Sequence, residues 1–277
     1  MLASAPLTTL SQLGERGLLA ELERRELIQG VQHDAAQVGE LVATQDALVD
    51  GVHFRLDRLS FRALGYPAAA VNISDLAASG ARPEALLVTL AAPPGTAVED
   101  VVELYEGFAE AGVPVVGGDT TSSPALVVSV TALGRSERVP GRDGARLGDV
   151  LVVTGPLGGA GAAFRRGVVL PPPLRVEEGV ALARTAHALM DVSDGIAADV
   201  AHIARRSGVR CVIELERVPL AEGATVDDLG FGEDFELLAA VADPGGFTVV
   251  GRVEEGDGGA LLWSGEPRAL RGFEHFS

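Results

Sequence analysis

The chain contains no lysine. All 22 of its basic residues are arginine, set against 39 acidic residues for a net charge of -17. The absence of lysine excludes a P-loop lysine, a protein-kinase strand lysine and a Schiff-base lysine. A protein of this composition that handles phosphates must use metal ions, arginine and backbone N–H groups. The acidic excess argues against nucleic acid or an anionic membrane as a partner. Cysteine is nearly absent as well. Cys211 is alone, in the strand-like run Arg210-Cys211-Val212-Ile213, which excludes an internal disulfide and a cysteine-rich zinc site. No apolar run is long enough to span a bilayer, and no basic region followed by an apolar core opens the chain. A cytoplasmic protein is the expectation. Asparagine occurs once, as Asn72.

What is present supports a sizeable core. The 277 residues are 47% hydrophobic and 22% charged, enough for one large domain or two ordinary ones. A charged helix is expected over about Glu15 to Gln29, then a turn-like polar patch from Val31 to Ala36. A strand follows from Leu41 to Leu48, with a turn at Asp50-Gly51. The stretch Ala70-Val71-Asn72-Ile73-Ser74-Asp75 belongs to a small-residue helix expected from about Pro67 to Gly80. Beyond it, the pattern predicts a strand at Glu84–Ala92, a helix at Ala97–Ala111, a short strand at Val113–Val116 ending in Gly117-Gly118-Asp119, and a strand at Ala125–Leu133.

Glycine, proline and charge replace the apolar runs between Arg135 and Gly148, a plausible boundary. After it come a strand at Val150–Val153, a glycine loop at Thr154–Gly161, and a helix from Val176 to about Ala188. The motif Asp191-Val192-Ser193-Asp194-Gly195 leads into a helix at Ile196–Ser207. Strands are expected at Val209–Leu215, Leu237–Val241, Phe247–Val253 and Ala260–Trp263. Strands alternating with helices indicate an α/β or α+β fold. The expected division is 1–137 and 138–277.

Six aspartates stand in apolar or glycine-rich surroundings: Asp34, Asp46, Asp75, Asp119, Asp191 and Asp194. Each by itself fits a turn or a cap. Together they raise a common problem, because a buried carboxylate without a partner costs several kcal/mol. With no lysine in the chain, divalent cations with oxygen ligands are the natural partner. Magnesium, held by a few carboxylates and substrate phosphates, is the expected one. Asn72 and Asp75, three residues apart, share a helical face. The loop Thr154–Gly161 lacks a Walker lysine and reads as a tight turn at a helix start.

These motifs, in this order, resemble the thiamine-monophosphate kinase family, within the superfamily of aminoimidazole ribonucleotide synthetase and selenophosphate synthetase. The resemblance rests on His33-Asp34-Ala35-Ala36, Thr44-Gln45-Asp46-Ala47-Leu48-Val49, Gly51-Val52-His53-Phe54 and Asn72-Ile73-Ser74-Asp75. It continues through Gly117-Gly118-Asp119-Thr120-Thr121, Arg142-Asp143-Gly144-Ala145, Asp191–Gly195, Gly232-Glu233-Asp234-Phe235-Glu236-Leu237 and Gly272-Phe273-Glu274-His275-Phe276. His33, Gln45 and Pro67 depart from the family pattern, as does Leu270, where a tryptophan is frequent. The resemblance implies a two-domain aminoimidazole ribonucleotide synthetase-like fold and a homodimer formed through the N-terminal sheets. It implies magnesium-dependent transfer of a phosphate from ATP to thiamine monophosphate. By matched position, Asp34, Thr44, Gln45, Asp46, Asp75, Asp119, Asp191 and Asp194 would hold magnesium. Gly118, Asp119, Arg142 and Ser193 would contact ATP. His53, Glu233 and Phe273 would line the thiamine side. The alternatives are another ATP-using enzyme of the superfamily and a non-catalytic nucleotide-binding regulator.

Overall fold

The computed structural model describes residues 9–28 and 33–273. Its first half runs α1 (Leu10–Arg24), β1 (Ala36–Val38), β2 (Leu41–Val49), α2 (Phe61–Ala78), β3 (Arg82–Ala92), α3 (Val98–Glu110), β4 (Val115–Ser122) and β5 (Val127–Arg135). The second half opens with β6 (Val150–Val153), α4 (Gly159–Arg165), α5 (Val176–Ala183), β7 (Ala188–Asp191) and α6 (Ile196–Ser207). It closes with β8 (Arg210–Glu214), β9 (Leu237–Val241), β10 (Thr248–Glu254), β11 (Gly258–Trp263) and β12 (Glu266–Pro267). Two sheets result, a five-stranded one in the order β1-β2-β5-β3-β4 and a seven-stranded one in the order β12-β11-β8-β10-β6-β9-β7. Pairing is antiparallel except for β3 with β4 and β8 with β11, so both halves have α+β character.

Helix α2 joins the two halves. Ser60 caps it, its Oγ accepting from the Ala63 N–H at 3.2 Å. Its buried residues lie all round the axis and are mostly small, the composition of a helix packed on every side. Leu64, Ala68, Ala69, Ile73 and Leu76 belong to the core of the first sheet. Ala77 and Ala78, one turn on, belong to a cluster with Val152, Leu189, Leu237 and Ala239 of the second. Two close approaches make this possible. A Cβ on Gly65 would collide with α3 at Leu104 and Gly107, and one on Gly179 of α5 would collide with the Ala77 carbonyl.

The structure moves several expected boundaries, each for a physical reason. Helix α2 starts six residues before Pro67, which lies inside it. Proline forfeits one helical hydrogen bond; Ser60 nevertheless supplies the start, and burial on all sides holds the turn. The expected helix from Val176 to Ala188 stops at Ala183, because Ala188–Asp191 pairs with β9. Gly117 and Gly118 do not end a strand; they run inside β4. Gly118 has φ +143, and a Cβ there would strike the Val88 carbonyl, so Gly118 serves the close β3–β4 approach. Residues 33–35 form bends, as expected of the polar patch, and β1 begins at its last residue, Ala36; Val31 and Gln32 lie outside the described residues. Helix α1 is shifted to Leu10–Arg24, and Gln29 lies outside the described residues. Helix α6 occupies the expected span.

Candidate metal and phosphate site

Three segments distant in sequence meet where the two halves join. Asp34 precedes β1, Asp75 lies on α2 and Asp191 ends β7. Each offers a carboxylate oxygen within 4.8 Å of the others. Asp191 is 1% exposed, and the Asp34 side chain is equally enclosed. Asp34 Oδ2 and Asp191 Oδ1 are buried with no hydrogen-bond partner. Orphaned acceptors of this kind are rare in folded proteins and costly.

Short hydrogen bonds fix the cluster. Thr44 Oγ1 on β2 donates to Asp75 Oδ2 at 2.6 Å. Ser74 Oγ, the neighbour of Asp75 on α2, donates to Asp191 Oδ2 across the junction at 2.6 Å. Asn72, fully buried, accepts the Asp46 backbone N–H at 3.0 Å and donates to the Ala68 carbonyl at 3.1 Å. Strand β1 covers β2 only over Leu41–Ala43. Asn72 therefore supplies the partner that the bare edge of β2 lacks at Asp46. Asp46 shares the α2-facing register row with Val130 and Val88, and its charge bears on both Asp75 and Asp191.

The electrostatics follow from this crowding. Burial, then the charges of Asp191, Asp46 and Asp34, push the Asp75 carboxyl well above the usual carboxylate range, against the Thr44 hydrogen bond. Burial and the Asp34 charge push Asp191 up to about 7, opposed by Ser74 and Arg142. Burial alone would pull the Arg142 guanidinium down. Asp34, with which it forms an ion pair through Nη2, and then Asp191 and Asp75 outweigh this and hold it charged. The donors are all oxygen, two are orphaned, and acids outnumber the nearby cation. This set fits a hard divalent cation such as magnesium.

The phosphate-side and substrate-side residues form a second group. Ser193 and Asp194 lie in the turn between β7 and α6, whose N-cap Gly195 has φ 99. The Ser193 carbonyl accepts from the Glu233 N–H at 2.8 Å, and the Asp194 carbonyl accepts from the Phe273 N–H at 3.0 Å. Gly232, Glu233 and Phe235 all have positive φ, at 84, 56 and 51 degrees. Such backbone is strained for a residue with a side chain and tends to mark functional sites. Glu233 is solvent-accessible, yet burial of its carboxyl, then the Asp234 charge, raises its pKa. Phe273 is half exposed. Ser193, Asp194, Glu233 and Phe273 are thus held together by main-chain hydrogen bonds.

Other expected site residues lie elsewhere. Gln45 points to the opposite face of the first sheet, its Nε2 donating to Ser129 Oγ at 3.0 Å. Gly118 and Asp119 sit on edge strand β4. The register row Ala47, Ser129, Thr89, Asp119 puts Asp119 on that same opposite face. Three strand spacings, roughly 14 Å, separate β4 from β2. His53 occupies the exposed turn after β2, its Nδ1 accepting from the Val49 N–H at 3.1 Å. Glu274, His275 and Phe276 lie outside the described residues.

Sequence reasoning missed Ser74, although it lies inside the Asn72–Asp75 motif that contains it. It also missed two buried acids beside Glu233. Asp234 accepts the N–H groups of Gly158 at 2.7 Å and Ala160 at 3.2 Å, so the loop Thr154–Gly161 is a capped helix start. Glu236 takes a bidentate Arg175 at 2.7 and 2.6 Å and the Thr154 hydroxyl at 2.6 Å. The signal for both was apolar context, the criterion that singled out the six aspartates.

Comparison with known proteins agrees with this geometry. Residues 32–136 match the family described as AIR synthase related protein, N-terminal domain. The thiamine-monophosphate kinase of Aquifex aeolicus is 33% identical, the alignment covering 96% of this chain and 99% of that one. The Mycobacterium tuberculosis thiamine-monophosphate kinase is 35% identical, over 97% of this chain and 93% of that one. A solved structure described as AaThiL complexed with AMPPCP and TMP superposes with a TM-score of 0.88 at 32% identity, over 98% of this chain and 100% of that one. At that identity and coverage, the chain belongs to the thiamine-monophosphate kinase family.

Proposed function

We propose that the protein transfers the terminal phosphate of ATP to thiamine monophosphate, giving thiamine diphosphate, with magnesium required. The observation that carries this reading is the convergence of Asp34, Asp75 and Asp191, from three separate segments, with two buried oxygens left unsatisfied. Asp34, Asp75 and Asp191 would hold the cation, with Asp46 and Asp194 beside them and Thr44 fixing Asp75. Bound there, magnesium would neutralise the phosphates of donor and acceptor and favour in-line transfer.

The remaining chemistry belongs to the chain. A phosphate monoester is mostly a dianion at neutral pH, because its second ionisation lies near 6. It attacks as it stands, and no general base is needed. The Arg142 guanidinium, fixed in charge by its acidic neighbours, offers planar donors to a phosphate. The Ser193 hydroxyl and the N-terminus of α6 would contribute donors to the same anion. Phe273 presents a half-exposed ring to the cationic thiazolium, and Glu233 complements its charge.

A homodimer packed through the first sheet is part of this reading. The face of that sheet away from α2 carries Ala43, Ala47, Leu87, Thr89, Ser129 and Thr131, small or apolar residues, and among the described residues α2 is the helix that packs extensively on β2, β3 and β5. Asp119 and Gln45 lie on it and would face the second copy. Among the described residues no helix is long and apolar enough to cross a membrane, and we place the reaction in the cytoplasm, where ATP is supplied.

The test is incubation with ATP, magnesium and thiamine monophosphate, followed by separation of the thiamine esters. Thiamine diphosphate and ADP in equal amounts are expected. Folded protein that binds ATP yet forms no thiamine diphosphate would instead favour a nucleotide-binding regulator.

A further inference from the structure

Two part-buried arginines among the described residues, Arg142 and Arg175, each pair with an enclosed carboxylate, and the two pairs differ in kind. Arg175 grips Glu236 through Nε and Nη2 together, at 2.7 and 2.6 Å, and adds Glu178 at 3.1 Å. This is the satisfied, bidentate geometry of a permanent bridge. Arg142 reaches Asp34 through Nη2 alone. Its Nε is buried without a partner, and so is the second oxygen of Asp34. A guanidinium that wastes a donor beside a carboxylate that wastes an acceptor is poorly matched for a fixed structural role. Yet it is the only cation paired with any of the three clustered acids among the described residues, and its charge lies close to all of them.

We propose that Arg142 is an exchangeable counter-ion. In the metal-free protein its guanidinium stands in for the divalent cation beside Asp34. A phosphate that draws it away frees the Asp34 oxygen for metal. This rests on the proposed metal role of the cluster and deepens it, because one side chain then couples the two binding events. The unmatched Nε is the donor that the phosphate would satisfy. Asp34, Asp75 and Asp191 are kept together without metal, at the expense of weak metal affinity until nucleotide arrives. Binding of cation and phosphate would be mutually reinforcing, as linkage requires.

The experiment is direct Mn2+ binding to the nucleotide-free protein, read by the electron paramagnetic resonance of the free ion. Arg142→Gln should bind Mn2+ about tenfold or more tightly than the wild type, since a like charge has left a buried site. Arg142→Lys, which keeps the charge, should bind close to wild type. Equal or weaker binding by Arg142→Gln overturns the proposal, as does equal tightening by both variants. Absence of Mn2+ binding in every protein overturns it too, and removes the metal reading of the cluster with it. Wild-type protein alone gives a second readout should Arg142→Gln not fold. Its Arg142 Nε–H nuclear magnetic resonance signal, identified by its loss in Arg142→Lys, should shift on titration with magnesium and inorganic phosphate. An unmoved signal at saturation overturns the exchange.

Discussion

Replacing Asp191 with asparagine should stabilise the metal-free protein while disabling it. Burial and the neighbouring Asp34 raise this carboxyl to about 7 in the folded state, whereas an unperturbed one titrates near 3.9. The folded pKa lies above the unfolded one, so the favourable contribution is complete at low pH. It is lost as pH rises from about 4 through about 7. Three pH units at 1.36 kcal/mol each put the loss at about 4 kcal/mol by pH 8. Asparagine carries no charge and keeps an oxygen to accept the Ser74 hydroxyl, which lies 2.6 Å from Asp191 Oδ2. Asp191→Asn should therefore gain roughly 2–4 kcal/mol at pH 8 in EDTA, or roughly 4–8 °C in melting temperature at about 2 °C per kcal/mol for a chain of this size. Near pH 4 the two proteins should melt together. Circular dichroism melts in EDTA at both pH values provide the assay, with an arm in magnesium and inorganic phosphate in which only the wild type gains. A variant that melts at or below the wild type at pH 8 would refute the claim that this acid is held under electrostatic strain.

Three further outcomes follow from the same geometry. Asp75→Asn should lower turnover at least about 10³-fold, the loss expected when an essential charge-stabilising group goes, with the fold intact by circular dichroism; near-normal turnover would reject its metal role. Phe273→Ala should raise the KM for thiamine monophosphate more than the KM for ATP, and equal changes would remove the ring from the thiamine side. Asn72→Ala should cost about 1–3 kcal/mol by stranding the Asp46 N–H and should raise the magnesium concentration needed for half-maximal rate. A stability loss with an unchanged magnesium requirement would confine Asn72 to the fold.

The fold and the cluster were legible in the sequence to different depths. Helix α6 and strand β9 carry clean periodicity and local stop signals, and their spans are those expected. Helix α2 was recognised, but Pro67 masked its start, because packing from both halves overrides the local penalty of proline. Gly117 and Gly118 read as the end of a strand; the Val88 carbonyl against Gly118 explains a glycine inside one. At the site, the apolar setting of Asp34, Asp75 and Asp191 betrayed them, because burial without a partner is costly wherever it occurs. The same criterion cannot sort acids by partner. Asp119 looked equivalent and lies on another face, whereas Asp234 and Glu236 are satisfied by N–H groups and Arg175. Which acid meets which cation depends on the crossing of α2 between two sheets, and no local pattern encodes that crossing.

Diffraction from crystals soaked in Mn2+ together with inorganic phosphate, with data collected at the manganese absorption edge, tests the shared cation site most directly. The account predicts an anomalous peak bonded to Asp34, Asp75 and Asp191 together, at the junction of α2 and β7. Peaks confined to exposed acids such as Asp119, with none among those three carboxylates, would contradict it.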